Sequence, residues 1–414
     1  MIKLGADSLS LLNTMSRKKE LFRPVIHDRV KIFTCGPSIY QEAHIGNYRT
    51  FLFEDILQRY LEYSGYKVNR VINFTDVEDK SIAQAQVEKT SLFELTDSIA
   101  DRFIKTAEAL KIKLPPSIPR SSTTVDESVS LIKTLLKKGY AYYLGNDIFF
   151  DPLKFNGFGK LYRLDMRRWP KNKIRFSKDT YIGQRWNLGD FVLWHGKRDG
   201  DDVFWDTAIG KGRPAWNVQD GAVIVSQLGL PIDIACGGVD NLCRHHDYNI
   251  AITESASGKE LAHYWLHGEH LLVGGKKMSK SKGSIIYIGD ILKKGFTARQ
   301  IRFYLIYGHY RKRINFSWNS FQSACLRLDE FDEMTGRLYK VRSSAYISSI
   351  RKRFEERMND DMDVQGSFDG LYEIMKKIAS SGEADGLTCG TGDMLGDELK
   401  RIDSVLQILT EQRI

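Results

Sequence analysis

Residues 29–63 read RVKIFTCGPSIYQEAHIGNYRTFLFEDILQRYLEY, and the fold turns on this stretch. Val30 to Thr34 is a β-like run that stops at Cys35-Gly36-Pro37. From Asn47 to Tyr63 apolar residues (Phe51, Ile56, Leu57, Tyr60, Leu61) recur at helical spacing. Val68 to Phe74 supplies a second strand, closing a strand–helix–strand unit of the kind that builds parallel sheets. His44-Ile45-Gly46-Asn47 sits between the first strand and its helix. A helix N-terminus at a strand's carboxyl end offers unpaired N–H groups and the positive end of a dipole. Gly46 lets a nucleotide approach the backbone. His44 is able to donate a hydrogen bond to a phosphate oxygen as charge builds up. Alone the tetrapeptide decides little, because a loop histidine is more often simply solvated.

Outward from this unit the pattern changes. From about Leu114 to Asp190 the chain opens on Pro115-Pro116, holds a helix from Val125 to Lys138, and then alternates short β-like pieces with turns. This reads as an insertion interrupting a sheet domain. A helix from Trp216 to Leu228, a strand at Ile232 to Ala235 and a helix from His245 to Ser257 resume the α/β pattern. Beyond about Phe296 the chain reads as helical to its end, with a Gly-rich loop near Gly382 to Gly396.

Composition narrows the class. The 414 residues are 42% hydrophobic and 27% charged, an ordinary globular balance with room for two or three domains. No apolar run is long enough to span a bilayer, and no basic-then-apolar N-terminal segment is present, so a cytoplasmic location is expected. The net charge of +9 suits a phosphate-rich partner, although many basic proteins bind no nucleic acid. Cys35, Cys236, Cys243, Cys325 and Cys389 are odd in number, irregularly spaced and without a CxxC pair. That argues against a disulfide framework or a compact zinc knuckle.

A second motif is Lys277-Met278-Ser279-Lys280-Ser281, flanked by Gly274-Gly275 and Gly283. Two lysines in a flexible loop are able to close over a triphosphate and stabilise departing pyrophosphate. The competing reading is a solvated basic loop. In order and separation, the two motifs together resemble the signature sequences of class I aminoacyl-tRNA synthetases.

The surrounding residues are similar to one branch of that class, the cysteinyl-tRNA synthetases. The matching blocks are Thr34 to Tyr40 with Ala43 to Gly46, Asn73 to Lys80, Gly212 to Trp216, His245-His246, and Tyr264 to His267. The likeness runs from about Phe22 to Phe316 and continues weakly to about Leu371. It implies an α/β fold, a doubly wound parallel (Rossmann-like) sheet split by a connective insertion and followed by a C-terminal α-helical bundle. The implied divisions are 1–113 and 191–268 for the two halves of the catalytic domain, 114–190 for the insertion, 269–325 for the lysine loop and stem-contact region, and 326–414 for the bundle.

The resemblance also implies chemistry. ATP with Mg2+ is attacked in line at its α-phosphate by an amino acid carboxylate, and tRNA accepts the activated amino acid. His44, Asn47, Lys277 and Lys280 take the catalytic positions. Gly36, Gly46, Gly238, Asp240, Met278 and Ser279 take the nucleotide-binding ones, with Asp240 at the ribose; a plain turn aspartate after two glycines is the competing reading. Thr75 and Trp216 fall in the amino acid pocket.

The match departs from the family at three places. The family holds zinc in its amino acid pocket through two Cys, one His and one Glu, and that zinc selects cysteine. Here Cys35 and His245 keep two positions, Asp220 stands at the second Cys, and Asn249 stands at the Glu. Trp216 with Asp220, and His245 with Asn249, are i and i+4 pairs, so the altered set still lines one pocket. Two readings stay open. Cys35, Asp220 and His245 hold a weaker zinc, or the pocket is metal-free and Asp220 with Asn249 binds a polar or cationic side chain. The second is preferred on the loss of a thiolate and a carboxylate. Asn47 replaces a His that the family usually shows. No residues are found for the small final domain that helps read the anticodon. A ligase using a small amine as acceptor, like the cysteine ligases of mycothiol synthesis, is one alternative function; a non-catalytic nucleotide- or tRNA-binding paralogue is another.

Overall fold

The computed structural model describes residues 8–165, 190–278, 284–380 and 393–410. An antiparallel hairpin, β1 (Ser10–Asn13) and β2 (Lys18–Leu21), leads into β3 (Arg29–Thr34), where Val30, Ile32 and Phe33 are buried. Helix α1 (Ile45–Tyr63) crosses over to β4 (Lys67–Ile72), which pairs parallel with β3 from Arg29↔Lys67 to Thr34↔Ile72. Helices α2 (Asp79–Glu88) and α3 (Leu92–Ala109) follow, and Phe103 of α3 packs against Tyr48, Phe51 and Phe74.

Helix α4 (Val125–Lys137) opens the segment read as an insertion. Its strands are β5 (Ala141–Leu144), β6 (Asp147–Phe150), β7 (Phe191–Gly196), β8 (Trp205–Thr207) and β9 (Gly210–Pro214), forming an antiparallel sheet in the order β5-β6-β7-β9-β8. That sheet continues past Asp190 to Pro214 and delivers the chain directly into α5 (Trp216–Gln227).

Strand β10 (Ile232–Gly238), helix α6 (Asp247–Ser257) and strand β11 (Ala262–Gly268) complete the parallel sheet. All seven residues of β10 are buried, as expected of a strand covered on both faces. The sheet order is β11-β10-β3-β4, every pair parallel. The chain therefore winds one way from β3 and the other way from β10. Their carboxyl ends flank the switch point where such sheets open a crevice. This is the doubly wound arrangement expected from the sequence. Phe191 of β7 stacks on Tyr248 of α6 at 4.0 Å, so the antiparallel sheet buttresses a helix of the parallel one.

Strands β12 (Leu271–Val273), β13 (Lys276–Lys277) and β14 (Ile314–Phe316) form a small sheet. Helices α7 (Ile288–Leu292), α8 (Ala298–Tyr307), α9 (Trp318–Leu338), α10 (Ser344–Met358), α11 (Val364–Ser380) and α12 (Leu395–Leu406) make up the rest. The loop expected to Gly396 overlaps the first turn of α12, where buried Leu395 starts the helix; residues 381–392 lie outside those described. Arg302 of α8 is fully buried and bonded to Asp55 Oδ2 (2.6 Å) and to the carbonyls of Leu110 and Leu406, tying the helices to α1. The first hairpin is tied in as well, with Ser10 N–H donating to Asn359 O and Thr14 N–H to Trp265 O. No helix among the described residues is long and apolar enough to cross a membrane.

Candidate functional site

The crevice at the switch point is an open cleft of about 420 Å³. Cys35, Gly36, His44, Gly46 and Asn47 line its β3–α1 side, while Gly238, Asp240 and His245 line its β10 side. Lys277 and Met278 reach it from β13 and the residue after it. Lys280 and Ser279, expected beside them, lie outside the described residues. Thr75 does not line the cleft. Its backbone instead pairs with the loop at Pro37 and Ile39, holding that loop against the end of β4.

His44 is the N-cap of α1. Its Nδ1 accepts from Gly46 N (3.1 Å) and Asn47 N (3.3 Å), and Asn47 Oδ1 accepts from His44 N in return. Ile45 N–H donates to Ile286 O. The unpaired N–H groups expected at this helix start are therefore already satisfied, two by the His44 ring and one by the Ile286 carbonyl. With Nδ1 accepting, the neutral ring carries its proton on Nε2. Burial, reinforced by the Lys277 ammonium, lowers the pKa of His44, so the ring is neutral near pH 7.

Lys277 Nζ lies 2.9 Å from Asp240 Oδ2. Burial alone would raise the Asp240 pKa, but the Lys277 charge and hydrogen bond outweigh it and hold the carboxyl below its usual range. Met278 is buried over the other motif: a Cβ on Gly46 would come within 2.8 Å of Met278 Cε.

Behind the cleft wall that Cys35 and His245 form, the altered ligand set converges; Trp216, Asp220 and Asn249 are buried and do not line the cleft itself. Cys35 Sγ–H donates to Asp220 Oδ2 (3.4 Å), Asn249 Nδ2 to the same oxygen (3.3 Å) and Asn73 Nδ2 to Oδ1 (2.9 Å). One donor atom each from Cys35, Asp220 and His245 lie within 4.8 Å of one another. Trp216 packs its ring on His245, with centroids 4.5 Å apart. His245 stands on a π-helical turn, Leu242–His246, rather than on the regular helix expected from the sequence; such turns are frequent at functional sites. Burial, the adjacent Asp220 charge and the bond to Asp220 push the Cys35 thiol pKa well up.

Asn73 is the residue that sequence reasoning missed. Its Oδ1 accepts from Gly36 N while its Nδ2 holds Asp220, so it joins β3, β4 and α5 at one point. Gly36 is obligatory there, because a Cβ would fall 1.5 Å from Asn73 O. Its role follows from strand register: β3 and β4 paired in parallel bring the residues after Thr34 and Ile72 side by side. A second omission is the pair formed by His246 Nδ1 and His267 Nε2 at 2.8 Å, continued from His267 Nδ1 to Thr14 Oγ1 at 2.8 Å. Burial lowers His246 well below the normal range and His267 to about 3, so both rings are neutral.

The donor set fits a zinc ion with three protein ligands. Thiolate, carboxylate and imidazole are all zinc donors. A sulfur at about 2.3 Å and an oxygen at about 2.0 Å on one tetrahedral zinc lie about 3.5 Å apart, against 3.4 Å from Cys35 Sγ to Asp220 Oδ2. Asn249 turns its NH2 toward a carboxylate, so it offers the centre a donor and not a lone pair.

Comparison with known proteins gives the same direction. The profile of the tRNA synthetases class I (C) catalytic domain matches residues 21–326. A cysteine–tRNA ligase of Chlamydia pneumoniae is 36% identical over 97% of this chain and 87% of its own length. One from Chlamydia trachomatis serovar D is 37% identical over 90% and 80% respectively. Among solved structures, Mycobacterium tuberculosis methionyl-tRNA synthetase with methionyl-adenylate superposes with a TM-score of 0.67 at 14% identity, covering 92% of this chain and 88% of that one. The ternary complex of Agrobacterium radiobacter K84 LeuRS with tRNA gives 0.68 at 10%, covering 94% and 86%. At these identities the two structures show the fold alone. The chain is a ligase of the class I aminoacyl-tRNA synthetases and belongs to the cysteine–tRNA ligase family.

Proposed function

We propose that this enzyme activates cysteine with ATP and passes it to tRNA, with zinc held by Cys35, Asp220 and His245. The observation that carries this reading is the convergence of those three donors, two of which, Cys35 and His245, line the cleft that the two phosphate motifs share. Zinc bound there supplies a Lewis-acidic contact for the substrate thiolate, which an oxygen or methyl side chain lacks. We take the zinc reading over the metal-free one because Asp220 replaces the lost thiolate with another anionic donor.

The protein's part in the chemistry is positioning. Magnesium enters with ATP, as in the class I enzymes generally. Asp240 takes the ribose, freeing Lys277 for the phosphates. His44 Nε2–H donates to a phosphate oxygen whose charge grows as the amino acid carboxylate attacks phosphorus and pyrophosphate departs. Asn47 holds His44 at its backbone N–H. Lys280 adds charge from the same loop. A cytoplasmic location goes with this reading. Neither a small-amine acceptor nor a non-catalytic role is favoured among relatives bearing the name cysteine–tRNA ligase. ATP–pyrophosphate exchange measured against all twenty amino acids tests the reading: cysteine alone is expected to drive exchange, and exchange driven by another amino acid sinks it.

A further inference from the structure

Arg49 sits one turn into α1 and is buried, yet it does not line the cleft. Burial outweighs the attraction of Tyr304 and Glu269 and lowers its pKa to about 10, so the charge is kept at a cost in solvation. Its Nη2 donates to two main-chain carbonyls, His309 O (3.1 Å) and Lys312 O. Both belong to the turn at 309–312, which Lys312 N–H closes onto His309 O (2.9 Å). Phe53 stands four residues on, hence on the same face of α1, and stacks on Tyr310 of that turn with centroids 4.7 Å apart. Helix α1 therefore grips the turn with one guanidinium and one ring. An apolar side chain of similar length would supply cohesion without the desolvation. What the guanidinium adds is direction, because its planar donors fix where the carbonyls lie.

The same turn is tied to the strand that carries the lysine motif. Tyr310 O accepts from Glu269 N (2.8 Å), and the chain runs on into β14, which pairs in parallel with β12 from Leu271↔Ile314 to Val273↔Phe316. Strand β12 in turn pairs with β13, where Leu272 faces Lys277. A continuous set of contacts thus runs from the helix that His44 caps, through Arg49, the turn, β14 and β12, to Lys277. We propose that Arg49 is a positioning residue for adenylate formation: by fixing the 309–312 turn on α1 it sets the place of Lys277 relative to His44, so that both reach one triphosphate. The inference rests on the roles given to His44 and Lys277 in the proposed function, and not on which amino acid is activated.

A double-mutant cycle tests it. The full enzyme carrying Arg49→Met, Lys277→Met or both is assayed by ATP–pyrophosphate exchange with cysteine, alongside AMP binding and thermal unfolding. Methionine keeps an unbranched apolar stem and removes the donors. A small displacement of Lys277 is expected to lower kcat for exchange by about 10- to 100-fold. KM for cysteine and the affinity for AMP, which lacks the outer phosphates, should stay close to those of the parent. Because Arg49 acts through Lys277, the double variant should be no slower than Lys277→Met alone. A residue that only stabilised the fold would lower the melting temperature and the folded fraction, and leave the rate per folded molecule unchanged. Arg49→Lys keeps the charge without the fork, so its rate should fall between those of Arg49→Met and the parent. It takes the place of Arg49→Met in the cycle should the methionine variant fail to fold. Parental kcat in both variants overturns the proposal, and so does a loss that multiplies with that of Lys277→Met. Failure of both variants to fold overturns it as well, since Arg49 is then a stability residue. Where an amino acid other than cysteine drives exchange in the parent, the cysteine assignment falls and the same cycle, run with that amino acid, still decides the role of Arg49.

Discussion

At His44 the two ring nitrogens serve different ends: Nδ1 takes the N–H groups of Gly46 and Asn47, and in the proposed reaction Nε2–H meets a phosphate oxygen. Substitution separates the two. His44→Asn keeps a good N-cap and loses the distal donor, so exchange is expected to fall about 10²–10³-fold with unfolding unchanged. His44→Ala should lose the same activity and also about 1 kcal/mol of stability. Equal melting temperatures for the two variants would remove the capping role. Gly36→Ala is expected to be far more disruptive, because the added methyl has only the Asn73 carbonyl to meet. Its expected signature is failure to accumulate as folded protein, scored by soluble yield. Residues whose role is local were readable in the sequence: His44, Gly46 and Lys277 sit in contiguous motifs. Asn73 was not, because its meaning comes from the register of two strands separated by α1 and from a helix about 150 residues away that carries Asp220.

Asp403 illustrates what an element owes to one side chain. It lies near the end of α12, half-buried, and its Oδ1 accepts from both Ile408 N (2.6 Å) and Leu409 N (3.0 Å). Burial raises its pKa to about 6. Below its unfolded pKa near 4 the group is protonated in both states and costs nothing. As pH rises through about 6 the folded protein must carry a half-buried carboxylate, losing up to about 3 kcal/mol. Asp403→Asn preserves the acceptor without the charge, so its melting temperature at about pH 7.5 should exceed the parent's, with the two converging toward pH 4. A variant less stable than the parent at pH 7.5 would contradict this. Elements were largely legible: β3, α1, β4, α4, α5 and β10 appear within a few residues of their expected places, since helix and strand periods are short-range signals. The pairing of β7, β8 and β9 with β5 and β6 was not, because antiparallel partners dozens of residues apart leave no periodic trace.

For the whole molecule, the positive surplus of charge predicts where salt acts. Binding of tRNA should weaken at least about tenfold between roughly 50 and 200 mM salt, through release of counterions from its phosphates. Cysteine-dependent exchange, which involves no long polyanion, should change far less. A flat salt response of tRNA affinity would mean the surplus charge lies away from the acceptor. Two ties hold the architecture together across long sequence distances: Arg302 with Asp55, and the first hairpin with Asn359 and Trp265. Removing the carboxylate with Asp55→Ala strands a buried guanidinium, and the protein is expected to lose about 3–5 kcal/mol, read as a lowered first unfolding transition.

The Lys277–Asp240 ion pair bears on how the enzyme lets go of what it has made. On the proposed reading, ATP takes Asp240 with its ribose and compensates Lys277 with its outer phosphates. AMP, left after the amino acid has moved on, still competes for the carboxylate but has no outer phosphates for the lysine. The lysine's natural partner is then the aspartate that AMP occupies. On that reading the same bridge that greets an incoming nucleotide also favours departure of the spent one, because re-forming it returns Asp240 to Lys277.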